Sequence, residues 1–172
     1  MNSTSVREHV ILPSPIGSLT LVAEAGQLTA LYMDAQQHRP DAGLLGVPGD
    51  PDATPFAAAA RQLAGYFAGQ LTEFDLPLAP AGTPFQRRVW AALQTIPYGQ
   101  TWSYAQLADK IGQATAVRAV GLANGRNPIA LVIPCHRVIG SDGSLTGYGG
   151  GLDRKRFLLD LEASVVAAGA GS

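Results

Sequence analysis

A proline stands between a run of five apolar residues and the only cysteine of the chain: Ile129-Ala130-Leu131-Val132-Ile133, then Pro134-Cys135-His136-Arg137-Val138. Pro134 cannot continue a helix and biases Ile133 toward extended backbone, so the run is expected to be a buried strand ending in a turn at the cysteine. The turn has a chemical consequence. In a regular strand Cys135 and His136 point to opposite faces, and both can serve one site only where the backbone bends. A free thiol is barely ionised near neutral pH, so it becomes a nucleophile only where neighbours stabilise the thiolate or take its proton. Here an imidazole and a guanidinium follow directly. The competing reading of a lone cysteine is a small hydrophobe, inert in the core.

One cysteine in 172 residues excludes a disulfide framework and a cysteine-based zinc site, and suits a reducing compartment. No apolar run approaches membrane-spanning length, and Met1 to Val10 lacks the apolar centre of a secretory signal, so a soluble cytoplasmic protein is expected. The charges separate at Gly82. Residues 1–82 hold three bases and eight acids, a balance of −5, whereas residues 83–172 hold nine bases and five acids, a balance of +4. A basic half beside an acidic one fits a polyanionic partner on one face, with an ordinary solvated surface as the alternative.

Val6 to Asp34 is rich in strand formers. Leu19, Leu21 and Ala23 alternate with Thr20 and Val22, Ala25-Gly26-Gln27 suits a turn, and Leu28 to Met33 can return, so a small antiparallel sheet is expected. Gln36 to Ala53 has no periodicity and is expected to be an exposed loop. Phe56, Ala60, Leu63, Ala64 and Phe67 fall on one helix face closed by Gly69, and Leu71 to Pro84 links onward, with Phe74, Leu76 and Leu78 available to the sheet edge. Thr83-Pro84-Phe85-Gln86 is a capping box opening a helix whose apolar stripe is Phe85, Val89, Ala92, Leu93 and Ile96. A second box, Ser103-Tyr104-Ala105-Gln106, opens a short helix to Gly112, and a third helix spans about Thr115 to Asn124. Two short helices about a glycine-containing turn read as helix-turn-helix. In the third helix, Val117, Val120 and Gly121 are expected to face the core, and Thr115, Arg118, Ala119 and Leu122 to face out. Small residues around one arginine allow close approach to a DNA groove; a solvated helix face is the alternative.

Gly140 to Gly151 holds six glycines around Tyr148, a loop able to bring backbone N–H groups to a ligand or simply an exposed loop. The last helix, about Asp153 to Val166, is expected to bury Phe157, Leu158, Leu161 and Val165, with Glu162 at the border of that face although a helix glutamate is usually solvated. His9 and His38 have no metal-like spacing. The expected fold class is α/β of the α+β kind: a sheet-plus-helix domain with its linker over 1–82, and a mostly helical domain over 83–172 carrying the helix-turn-helix and the short cysteine strand.

Pro134-Cys135-His136-Arg137-Val138, with Asn127-Pro128 upstream and Gly147-Tyr148-Gly149-Gly150 downstream, resembles the active-site signature of the O6-alkylguanine-DNA alkyltransferases. The resemblance is close from Thr83 to Glu162 and looser through Ser14-Pro15-Ile16-Gly17 and Tyr66-Phe67-Ala68-Gly69. It implies a single-use DNA repair protein, a stoichiometric methyltransferase that takes an alkyl group from O6 of a flipped guanine in double-stranded DNA. By that resemblance Cys135 is the acceptor, and His136, through a water, and Glu162 relay the thiol proton. Tyr104 donates to the leaving guanine, Arg118 fills the gap in the duplex, and Asn127 is the hinge. Tyr104, Val138, Tyr148 and Gly149 form the pocket, and the helix carrying Thr115, Arg118 and Ala119, with Arg126 and Arg137 beside it, meets the minor groove. No cofactor is implied. The family includes members with an N-terminal zinc site whose cysteines this chain lacks, so no metal is expected. No membrane partner is expected; a monomer is, with cooperativity along DNA left open.

The chemistry supports such a reading on its own terms. Displacement at an alkyl carbon needs a soft nucleophile, and the thioether formed has no carbonyl for water to attack, so the reaction stops after one event. Extruding a stacked nucleotide costs on the order of a few kcal/mol, less for a damaged base. Two rivals remain at this stage: a cysteine hydrolase using Cys135 and His136, and a helix-turn-helix regulator without transfer activity.

Overall fold

A computed structural model describes residues 5–170. Strands β1 (Glu8–Leu12), β2 (Leu19–Glu24) and β3 (Gln27–Met33) form an antiparallel meander. Ala25 and Gly26 connect β2 to β3 with φ of 54° and 78°, the positive values that a two-residue hairpin turn of matching twist requires. Both faces of β2 are covered. Leu19, Leu21 and Ala23 enter the main core, and Val22 packs with Ala30 and Leu45 behind it. Residues 36–53 are therefore only partly loop: Leu45 seats a 3-10 turn (Ala42–Leu45), and β4 (Val47–Pro48) runs parallel to β1, giving the sheet order β3-β2-β1-β4.

Helix α1 (Phe56–Phe67) buries Phe56, Ala59, Leu63 and Tyr66, whereas Ala60 and Ala64 flank that face. The stripe is rotated from expectation because a tyrosine ring has far more apolar area to bury than two alanine methyls. Beyond Gly69 the link reaches the sheet as expected. Leu78 bridges Leu28, with the Leu28 N–H donating to Pro77 O and the Ala79 N–H to Leu28 O, each at 2.8 Å.

Both capping boxes form. Thr83 and Gln86 exchange bonds of 3.1 and 3.0 Å to start α2 (Pro84–Leu93). Strand β5 (Trp102–Ser103) follows, and Ser103 and Gln106 then exchange bonds of 3.1 and 2.7 Å to start α3 (Tyr104–Lys110). Helix α4 (Val117–Gly125) completes the helix-turn-helix. Its core face is Val120, Ala123 and Asn124, so Val117 is exposed and Thr115 precedes the helix. Trp90 sets this phase. Its indole N–H donates to Ala123 O at 2.9 Å and fixes α4 against α2.

Ile129 to Ile133 is buried as expected but is a turn, not a strand. Only Ile129 bridges the sheet, at Leu31; the Ile133 N–H returns to Ile129 O at 3.0 Å, and Leu131 has a φ of 71°. Cys135–Arg137 is a 3-10 turn, followed by β6 (Val138–Ile139), which pairs in parallel with β5. Helix α5 (Leu152–Ala170) closes the structure, with Leu158 and Glu162 buried and Phe157 41% exposed. Phe157 instead lies across the edge of the core, its ring 6.5 Å from that of Phe67. Among the described residues no helix is long and apolar enough to cross a membrane. The buried side chains of both halves form one continuous cluster running from Val10 to Leu158.

Candidate active site

Cys135 lies on the wall of a cavity of about 250 Å³, and though only 7% exposed it lines that space. The turn after Pro134 is what delivers it there. Tyr104 at the start of α3, Gly121 and Asn124 of α4, Asn127-Pro128 and the Gly147–Gly150 segment form the surrounding walls. A further wall was not foreseen: Tyr32, Gln36, Gln37 and His38, at and beyond the end of β3. The Gln37 N–H donates to Gly149 O at 2.8 Å, clamping the two loops together. Gly150 lets this corner pack closely, since a Cβ there would approach Met33 Sδ to 2.5 Å and oblige that side chain to shift. Arg154 secures the same corner, donating to Ile16 O at 3.0 Å and Gly150 O at 3.2 Å, which gives the Ser14–Gly17 turn its place in the assembly.

Behind the cysteine, His136 is fully buried with Nε2 2.7 Å from Glu162 Oε2. Glu162 is 1% exposed, so the glutamate at the border of the helix face points inward. Burial alone would raise its carboxyl, but the hydrogen bonds from His136 and Arg137 and the guanidinium charge override this and hold it at about 2. An ionised carboxylate only accepts, so His136 carries its proton on Nε2 and leaves Nδ1 as the basic nitrogen. Nδ1 has no protein partner. Burial pushes the imidazole below its ordinary value, with Glu162 opposing, so it rests neutral.

Arg137 is buried rather than presented on the surface beside α4. It is 7% exposed, with Nε and Nη2 at 2.8 and 3.1 Å from the two oxygens of Glu162, Nη1 donating to Ile96 O at 2.8 Å and the ring of Tyr98 at 5.5 Å. A bidentate partner is what allows a carboxylate to stay charged in the core. Two further residues of the site escaped sequence reasoning. The Tyr66 hydroxyl, on α1, donates to Glu162 Oε2 at 2.7 Å, and burial followed by the carboxylate pushes its phenol up. Lys155, fully buried on α5, donates to Val138 O at 2.6 Å and Thr146 O at 2.8 Å. Burial lowers its ammonium to about 8. Periodicity around Phe56, Ala59 and Leu63 could have found Tyr66; nothing local marks Lys155.

Burial raises the Cys135 thiol, while the Asn127 amide and the Lys155 charge favour the thiolate. Asn127 also splices the turn, Nδ2 donating to Ile133 O at 2.7 Å and Oδ1 accepting from the Ile129 N–H at 3.0 Å. Tyr104 has only long contacts to Thr146, at 3.4 and 3.5 Å, which leaves its hydroxyl available to a ligand. Tyr148 and Gly149 line the cavity. Val138 does not. Its side chain is wholly buried, and its role is the carbonyl that holds Lys155. Arg118, Ala119 and Leu122, the last 69% exposed, form the open face of α4, with Thr115 ahead of it and Arg126 at the cavity rim.

Fold and site together define a helix-turn-helix protein with a lone cysteine lining a cleft and an imidazole-carboxylate pair behind it. The sequence matches the 6-O-methylguanine DNA methyltransferase DNA binding domain over residues 84–164 and the ribonuclease-like domain of the same proteins over residues 7–80. It is 58% identical to the methylated-DNA-protein-cysteine methyltransferase of Mycolicibacterium paratuberculosis over 155 residues, which cover 90% of this chain and 92% of that one. To the protein of the same name from Mycobacterium tuberculosis strain H37Rv it is 56% identical over 153 residues, 89% and 90% of the two chains. The crystal structure of Mycobacterium tuberculosis OGT in complex with DNA superposes with a TM-score of 0.84 at 55% identity, covering 92% of this chain and 94% of that one. The chain belongs to the 6-O-methylguanine DNA methyltransferase family.

Proposed function

We propose that the protein repairs duplex DNA by transferring the alkyl group of O6-alkylguanine to Cys135 in a single, irreversible event. The observation that carries this is a lone thiol opening onto a cavity of about 250 Å³, with Tyr104 beside it and a neutral imidazole behind. The α4 face would lie in the minor groove, with Arg118 taking the place of the extruded nucleotide and Thr115, Ala119 and Arg126 near the phosphates. Behind the cysteine, His136 Nδ1 takes the thiol proton through one water, and the imidazolium is stabilised by Glu162. Sulfur attacks the alkyl carbon, an S–C bond forms, and the C–O6 bond breaks. Its electron pair leaves with the guanine, which Tyr104 relieves by donating its phenolic proton or hydrogen bond. Asn127 acts as hinge and steadies the thiolate, and Lys155 adds positive charge nearby. Tyr148 and Gly149 close the pocket.

Residues 83–172 would carry binding and transfer, with residues 1–82 supporting the pocket wall and the relay from behind. A thiol that must stay reduced until use fits the cytoplasm. Mixing the protein with a duplex carrying O6-methylguanine and measuring its intact mass is the test. One added methylene per protein, mapped to Cys135, is expected; an unmodified protein, or catalytic turnover, refutes the reading.

A further inference from the structure

Two donors converge on one oxygen of the relay. Tyr66 Oη and His136 Nε2 each lie 2.7 Å from Glu162 Oε2, while Arg137 holds both carboxylate oxygens and the Gly99 N–H reaches Oε1 at 3.4 Å. The phenol arrives from α1, 96 positions earlier in the chain. Electron density that Oε2 gives to one donor is withheld from the other, so a strong bond from Tyr66 weakens the pull of Glu162 on the imidazole proton. We infer that Tyr66 is a positioning residue for alkyl transfer, which tempers Glu162 so that His136 stays neutral and free to take the thiol proton at Nδ1.

Among the described residues, the other titratable groups near the imidazole are Arg137 and Cys135 on its own turn, Lys155 on α5, Tyr148 beside Cys135 and Tyr98 beyond Arg137; the two arginines of α2 are exposed and do not face it. Arg137 and Lys155 both disfavour a charged imidazole, and Glu162 alone favours one. Tyr66 thus acts on the single group that pulls the other way. Because burial keeps both thiol and imidazole neutral at rest, the acid limb of the transfer rate reports protonation of His136.

The inference rests on transfer to Cys135, and the experiment separates the two. Single-turnover transfer from an O6-methylguanine duplex is followed against pH for wild type, Tyr66→Phe and Leu63→Ala, with DNA affinity and thermal stability measured alongside. Tyr66→Phe is expected to move the acid limb up by roughly half to one pH unit, with the plateau rate within about twofold and DNA affinity unchanged. Leu63→Ala, which empties core space one turn earlier, should lower stability and leave the limb in place. Nitrogen NMR of His136 in the wild type gives a second reading that needs no variant: a neutral ring with its proton on Nε2. An unmoved limb in Tyr66→Phe, or a proton on Nδ1, overturns the inference. A wild type that takes up no methyl group overturns the repair reading instead.

Discussion

Replacing Glu162 with glutamine keeps the shape of the side chain and removes its charge. Arg137 would then be a buried guanidinium without a counter-ion, left with one neutral amide oxygen at most, Ile96 O at 2.8 Å and the Tyr98 ring at 5.5 Å. The new amide would also turn an N–H₂ toward Arg137 or His136, setting donor against donor. Removing one partner of a buried pair costs roughly 3–5 kcal/mol. The carboxyl supplies an independent figure. It falls from its ordinary 4.5 to about 2, which by linkage amounts to about 3 kcal/mol of folded-state stability at neutral pH. Both point to a destabilised variant.

The sign of the pH dependence follows. With its folded value depressed, Glu162 binds more protons in the unfolded chain between about pH 4.5 and 2, so its contribution is whole above that window and lost as pH falls through it. Urea unfolding near neutral pH should therefore find Glu162→Gln less stable by about 3 kcal/mol, and an acid series should show a shallower decline than in the wild type. A variant within about 1 kcal/mol of wild type would mean that solvent screens the pair and that His136 and Arg137 do not depend on this carboxylate.

The other expectations can be stated briefly. Cys135→Ser should take up no methyl group yet bind duplex DNA as before, checked by intact mass and fluorescence anisotropy; lost binding would show that the cysteine shapes the DNA surface. Arg118→Ala, at an exposed position, should change stability by less than about 0.5 kcal/mol while weakening DNA binding, with the slope against log salt falling by about one. Lys155→Met strands the carbonyls of Val138 and Thr146, which should cost about 1–3 kcal/mol and slow transfer by loosening the Tyr148 loop. In the wild type, Lys155 binds more protons when unfolded between about 8 and 10.5, so stability should rise with pH across that window and the rise should vanish in the variant.

Much of the fold was legible because its signals are local. The two capping boxes, the Ala25-Gly26 turn and the stop at Gly69 are each settled within a few residues, and each appears where the sequence placed it. The misses share a physical origin. Val117 was assigned to the core from the phase of α4 alone, but that phase is set by the Trp90 indole on another helix. The Ile129–Ile133 run has the composition of a strand, yet its carbonyls are claimed by Asn127 and by its own turn, so little is left to pair with a sheet.

Charge burial explains why the site was only half legible. The sequence pattern marks Cys135, His136 and the Tyr148 loop, because those residues work where they stand in the chain. Arg137 and Lys155 were counted with the basic surface of the second half, and any reading by solvation alone would leave them there. They are buried because partners converge from far away: Glu162 lies 25 positions from Arg137, and Tyr66 approaches the same carboxylate from the opposite half. A buried ion is tolerable only when its acceptors are already assembled, so its place depends on the folded arrangement rather than on its neighbours in sequence. Removing both from the surface tally leaves Arg118 and Arg126 to carry more of any phosphate contact than the bare count of nine bases suggests. Substitutions at those two exposed arginines should accordingly change the salt dependence of DNA binding, whereas substitutions at Arg137 and Lys155 should act first on stability and on the transfer step.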